Sequence, residues 1–178
     1  MTHALVILIG LRGSGKTTVG RLVAARGRCR FVDLDTLTPT TLGCATVAAA
    51  WSQHGEPRFR EAELTALRSV MSETSPCILA LGGGTPTAPG AADLLNRARS
   101  AGARIIYLRA TPSELSARLL TSDNTHRPSL TGLPSASIEE ITRVHQARDA
   151  LYLSLADLVV EVGGLSTQEV ADAILEKI

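Results

Sequence analysis

An apolar run, Ala4-Leu5-Val6-Ile7-Leu8-Ile9, opens directly into Gly10-Leu11-Arg12-Gly13-Ser14-Gly15-Lys16-Thr17, and this juncture constrains the fold more than any other feature of the chain. A short apolar run ended by glycine reads as a buried strand, and a glycine loop closed by lysine and threonine at this spacing reads as a P-loop. The glycines let the backbone turn tightly and aim successive N–H groups at phosphate oxygens, while the next helix adds the positive end of its dipole. Val19, Leu22 and Val23 continue with the apolar spacing of a helix packed on a sheet. The loop predicts binding of a nucleoside triphosphate, with phosphate contacts from Gly13, Ser14, Gly15, Lys16, Thr17 and Thr18. Lys16 would reach the β- and γ-phosphates, and the Thr17 hydroxyl would hold Mg²⁺. Arg12 adds a cation whose side chain is expected to point out of the phosphate cradle, and it has no assigned role.

Four further short apolar runs read as strands: Phe31-Val32, Cys77 to Leu81, Arg104 to Leu108 and Leu158 to Val162. Helical patterns separate them, so the sheet should be mainly parallel. Three helix starts are marked by a hydroxyl and a carboxylate three residues apart, at Thr111 and Glu114, Ser137 and Glu140, and Ser166 and Glu169. Pro112 suits the first turn of its helix. The polar stretch from Thr121 to Ala136, with two prolines and a glycine, is long for a connection inside a compact domain and is expected to be a mobile lid.

A chain of 178 residues with 44% hydrophobic content suits one domain, residues 1–178, that buries a full core without disulfide or metal support. The formal charge of +1, with both signs interspersed, gives no sequence-wide footprint for nucleic acid or an anionic membrane. Cys29, Cys44 and Cys77 are odd in number and widely spaced, which fits buried free thiols in a reducing compartment better than disulfides or a zinc site. No apolar segment approaches a membrane span, and the cytoplasm is the expected location. His54, His126 and His145 stand without a partner acid in the sequence and are expected at the surface.

Behind the P-loop follow Asp33-Leu34-Asp35, then Gly55 to Glu63 (GEPRFREAE), Gly82-Gly83-Gly84, Arg127-Pro128-Ser129-Leu130 and Arg148-Asp149-Ala150-Leu151-Tyr152. In this order and at these separations they resemble the shikimate kinases, and the resemblance runs from the first strand to the last helix. It implies a three-layer α/β/α P-loop kinase with a five-stranded parallel sheet, an acceptor-binding region at about residues 33–63 and a lid at about 121–136. The implied reaction is transfer of the γ-phosphoryl of ATP, with Mg²⁺, to shikimate. The expected partners are ATP and shikimate, without nucleic acid or membrane, and the expected state is a monomer.

The residue chemistry points the same way. Asp33 and Asp35 are placed at the carboxyl end of a strand, where alternate residues face one crevice. By resemblance Asp33 would join Thr17 at the metal, and Asp35 would orient or deprotonate the acceptor hydroxyl. Arg60 and Arg148, structural residues if taken alone, become by resemblance receptors for the acceptor carboxylate, a task that suits the planar guanidinium fork. Gly82, Gly83 and Gly84 would let backbone approach the ring, and Glu63 would steady Arg60. Arg127 in the lid would act as a catalytic cation alongside Lys16 and Asp35. Arg118 would lie along the adenine or pair with Glu114 at i,i+4 spacing, and Trp51 and Phe59 would line the pocket or fill core.

Two departures from the family pattern bear on the acceptor side. Pro39 biases Thr38 away from helical geometry, so the helix after Asp35 is expected to begin later or to pack differently, and Ser129 stands where the lid usually has leucine. Two other readings stay open. One keeps the P-loop but changes the acceptor, gluconate suiting the two arginines better than a nucleoside monophosphate. The other is a catalytically silent homologue that binds ATP and shikimate.

Overall fold

The computed structural model describes residues 5–121 and 137–178; most of the expected lid, with Arg127, His126 and Ser129, lies outside the described residues. In chain order the elements are β1 (Leu5–Ile9), α1 (Lys16–Gly27), β2 (Arg30–Asp33), α2 (Leu34–Thr41), α3 (Val47–Met71), β3 (Cys77–Ala80), a short 3₁₀ turn (Thr85–Thr87), α4 (Ala91–Ser100), β4 (Arg104–Arg109), α5 (Pro112–Leu120), α6 (Ile138–Leu155), β5 (Leu158–Glu161) and α7 (Thr167–Leu175).

The five strands form one parallel sheet in the order β2-β3-β1-β4-β5. β1 is central, paired with β3 through Leu5 and Cys77 and with β4 through Val6 and Arg104. Val6, Ile7, Leu8 and Ile9 are fully buried, which is why this strand reads as a continuous apolar run instead of an alternating one. Helices cover the sheet, with α1 against β2, β3 and α7, and α6 against β4 and α5, giving the expected α/β/α P-loop kinase fold. From β1 the chain first builds β2 and β3 on one side and later β4 and β5 on the other. The crevice of such a sheet lies at the carboxyl end of its central strand, where Gly10 begins the loop.

Local chemistry sets the helix ends. Thr111 with Glu114 and Ser166 with Glu169 form complete capping boxes, and Ser137 Oγ accepts from the Glu140 N–H at 3.2 Å. α3 is two helices meeting at Gly55, whose φ of 73° and ψ of 167° are not helical, with Pro57 in the first turn of the second half. This bend turns Trp51 and Phe59 toward each other, with ring centroids 5.3 Å apart.

The expectation that Pro39 delays the helix after Asp35 does not hold. α2 starts at Leu34, and Pro39 lies inside it. The Asp33 carboxylate caps the helix by accepting from the Asp35 N–H at 2.9 Å. Proline removes one backbone donor, and the last turn is tied instead by the Thr40 and Thr41 hydroxyls, which donate to the carbonyls of Thr36 and Thr38. Cys44 and Cys77 are buried and Cys29 half-buried, all three as free thiols. Among the described residues no helix is long and apolar enough to cross a membrane.

Candidate active site

A cavity of about 580 Å³ opens at the carboxyl end of β1, lined by residues 12–19 together with Asp33, Asp35 and Arg118. α1 enters it at Gly15 with no side-chain cap and no acid in its first turn, so its leading N–H groups face a space suited to an anion. All six residues predicted to contact phosphate line this cavity. Lys16 is buried, and its Nζ donates to the carbonyls of Gly10 (2.8 Å) and Leu11 (2.9 Å), drawing the loop around itself. Thr17 Oγ1 donates to Asp33 Oδ2 at 2.6 Å, so the hydroxyl and the carboxylate predicted at the metal stand side by side.

A second, smaller cavity adjoins the first, lined by Arg12, Asp35, Trp51, Phe59, Arg60, Glu63, Gly82, Gly83, Gly84 and Arg148. The structure thus brings together every residue that the sequence resemblance placed at the acceptor. Trp51 and Phe59 serve pocket and core at once, since Phe59 is 2% exposed and packs in a small apolar cluster with Ala50 and Cys44. Arg60 lies 5.1 Å from the Trp51 ring centroid and 5.8 Å from that of Phe59. Its Nη1 donates to Glu63 Oε2 at 2.5 Å. The other Glu63 oxygen accepts from the buried Thr85 hydroxyl at 2.7 Å. Burial pushes the Glu63 carboxyl upward, and the neighbouring Arg60 charge opposes that rise.

The three glycines are there because their neighbours leave no room. A Cβ at Gly82 would come within 2.7 Å of Asp35 Oδ1 and of Glu63 Oε1, and one at Gly84 within 2.7 Å of Arg60 Nη2. Gly83 lies over the P-loop, where a Cβ would meet the Arg12 nitrogen at 2.9 Å. Its carbonyl accepts from Arg148 Nη1 at 2.8 Å and from the Tyr152 hydroxyl at 2.6 Å.

Three expectations need correction. Asp33 and Asp35 do not alternate along a strand: Asp33 ends β2 and Asp35 lies in the first turn of α2, and the cap between them is what places both at the same cavity. Arg12, expected to point out of the phosphate cradle, lines both cavities. Arg118 makes no ion pair with Glu114, whose carboxylate is taken by the Thr111 N–H and hydroxyl; Arg118 Nη2 donates to the Val162 carbonyl at 2.8 Å on the wall of the first cavity. His145 is half-buried with its Nε2 3.8 Å from Asp149 Oδ1, whereas His54 is exposed as expected.

Asp149 belongs to a cluster that sequence reasoning missed. Its carboxylate accepts from Arg109 Nε and Nη2 and from the Tyr107 hydroxyl, all at 2.8 Å, joining α6 to β4. Tyr107 meets Tyr152 edge to face, with centroids 5.5 Å apart. Burial pushes the Tyr152 hydroxyl up to about 12, so at neutral pH it keeps the proton that it donates to Gly83. The cluster therefore fixes the stretch of α6 that carries Arg148 and Tyr152.

The Arg109 hydrogen bonds hold the Asp149 carboxyl below its usual 3.8. A depressed carboxyl adds stability above the ordinary value and loses it as pH falls through the folded one. Asp149→Asn is expected to cost about 2 kcal/mol at neutral pH, allowing for partial exposure of the pair. Urea unfolding across a pH series should show the gap to wild type closing in acid below about 3.8.

Two cavities with a common wall, one suited to phosphates and one lined by Arg60 and Arg148 over a glycine floor, define the class: a P-loop kinase of small molecules. Comparison with known proteins narrows the class. The family model described as shikimate kinase matches residues 12–178. The chain is 38% identical over 176 residues to a shikimate kinase of Streptomyces avermitilis, covering 99% of this chain and 96% of that protein. It is 36% identical over 175 residues to one of Marinomonas sp., covering 97% and 91%. Among solved structures, a shikimate kinase from Acinetobacter baumannii in complex with shikimate superposes with a TM-score of 0.86 at 26% identity, over 98% of this chain and 92% of that one. The chain belongs to the shikimate kinase family.

Proposed function

We propose that this chain transfers the γ-phosphoryl group of ATP to the 3-hydroxyl of shikimate, giving ADP and shikimate 3-phosphate. The observation that carries the reading is the common wall of the two cavities, since in-line transfer needs donor phosphate and acceptor hydroxyl to meet without intervening water. The acceptor cavity suits a small hydroxylated carboxylate. Arg60, braced by Glu63, and Arg148, braced by the Gly83 carbonyl, are the carboxylate receptors, and the Trp51 and Phe59 rings form an apolar wall.

In the transfer, the Asp35 carboxylate orients the acceptor hydroxyl and takes its proton as the oxygen bonds to the γ-phosphorus, while the bond to the bridging β-phosphate oxygen breaks and ADP leaves with that electron pair. Lys16 and the open N–H groups of α1 stabilise the charge on the phosphates. The Thr17 hydroxyl and Asp33 carboxylate are adjoining hard oxygen donors and suit Mg²⁺, which when bound adds positive charge beside the β- and γ-phosphates. Arg118, on the wall of the same cavity, flanks the adenine. Arg127 keeps its proposed role as the cation of the lid. The protein acts as a monomer in the cytoplasm.

The test is ATP consumption by the purified protein with Mg²⁺ and shikimate, gluconate, quinate or no acceptor, with the product identified by mass spectrometry. Turnover that depends on shikimate and yields the 3-phosphate is the expected result. Turnover only with another acceptor, or ATP binding without any transfer, would overturn it.

A further inference from the structure

Among the described residues, Arg12 and Asp35 alone line both cavities. Any group passing from nucleotide to acceptor crosses this wall, which carries one carboxylate and one guanidinium cation. Asp35 already has a task there as the group that handles the hydroxyl proton. We propose that Arg12 is a further catalytic residue of the transfer, its guanidinium lying against the phosphoryl group as that group crosses between the cavities. This rests on the function proposed above.

Geometry and charge support the assignment. The Arg12 backbone is seated, not loose: Gly83 packs on it so closely that a Cβ there would come within 2.9 Å of the Arg12 nitrogen. Gly83 is itself held through its carbonyl by Arg148 and Tyr152. The arginine is therefore mounted on the floor of the acceptor cavity while belonging to the phosphate loop. A phosphoryl group in flight spreads its charge over three equatorial oxygens. A guanidinium, always protonated and forked, can bond two of them without exchanging a proton.

The experiment compares wild type, Arg12→Met and Arg12→Lys by steady-state kinetics, by calorimetric binding of shikimate and of shikimate 3-phosphate, and by thermal unfolding. Arg12→Met is expected to lower kcat by about 100-fold or more, as loss of one charge-stabilising donor does. Its KM for shikimate should stay within about 3-fold, because the contact arises with the transferring group and not with the acceptor. Affinity for shikimate 3-phosphate should fall by about 10-fold while that for shikimate changes little. Arg12→Lys, which keeps the charge and loses the fork, should recover part of kcat.

A kcat within about 3-fold of wild type, or equal weakening of shikimate and its phosphate, would overturn the assignment in favour of a role in holding the loop or the acceptor ring. If Arg12→Met loses its thermal transition, Arg12→Lys carries the test: a lowered kcat with intact shikimate binding supports the proposal, and an unchanged kcat overturns it. Failure of the underlying function shows separately, as wild-type protein that consumes no ATP with shikimate.

Discussion

Lys16→Ala is expected to lower kcat by about 10²- to 10³-fold or more, the cost of losing a preorganised positive group where charge develops. Lys16 is nearly buried, and its Nζ holds the carbonyls of Gly10 and Leu11, so the lysine is both the charge on the phosphates and the pin that curls the loop. Removing it frees those carbonyls, loosens the ring of N–H groups and raises KM for ATP along with the loss in kcat. The fold should survive. β1 is held by its pairing with β3 and β4 and by the apolar residues around it, none of which depends on the ammonium group. Replacing the lysine also removes a buried charge with its desolvation cost, so the change in unfolding free energy should stay within about 1–2 kcal/mol. Turnover, ATP binding by calorimetry and a thermal melt check the three parts. Unchanged turnover would remove Lys16 from the phosphate machinery.

What could be read from the sequence was what short-range pattern encodes. β1 and the loop stood out because a central parallel strand is buried on both faces and so leaves an unbroken apolar run, and because phosphate binding needs glycine at fixed spacing. Hydroxyl and carboxylate pairs marked three helix starts, since capping is a contact between residues three apart. The acceptor residues were legible only through the succession of motifs along the chain. No local pattern says that Arg60, Gly82 and Arg148 share a cavity.

The failures have equally definite causes. Alternation along a strand was the wrong rule for Asp33 and Asp35, because the strand ends at Asp33 and a helix begins under its cap. Proline bias lost to tertiary packing at Thr38, which is fully buried within α2. Arg109 and Asp149 lie 40 residues apart and Tyr152 and Gly83 lie 69 apart, so their hydrogen bonds leave no periodic trace. The one local signal was the i,i+4 spacing of His145 and Asp149, which also occurs on many exposed helices.

Asp35→Asn separates orientation of the acceptor from activation of its hydroxyl. Asparagine keeps the size and hydrogen-bonding reach of the side chain but cannot take a proton, so kcat is expected to fall by about 10²- to 10⁴-fold. The surroundings should hold. The backbone N–H of residue 35 still donates to Asp33, which keeps the α2 cap and leaves Asp33 beside Thr17. The Asp35 charge contributes to the upward push on the Glu63 carboxyl. Neutralising it therefore favours ionised Glu63 and its bond to Arg60, so the carboxylate receptor is left at least as well organised as before. KM for shikimate should then change by less than about 3-fold, and the loss should sit in kcat, the mark of an interaction made in the transition state. A large rise in KM with kcat preserved would instead make Asp35 an anchor for the ring, and the proton would have to leave the hydroxyl by another route.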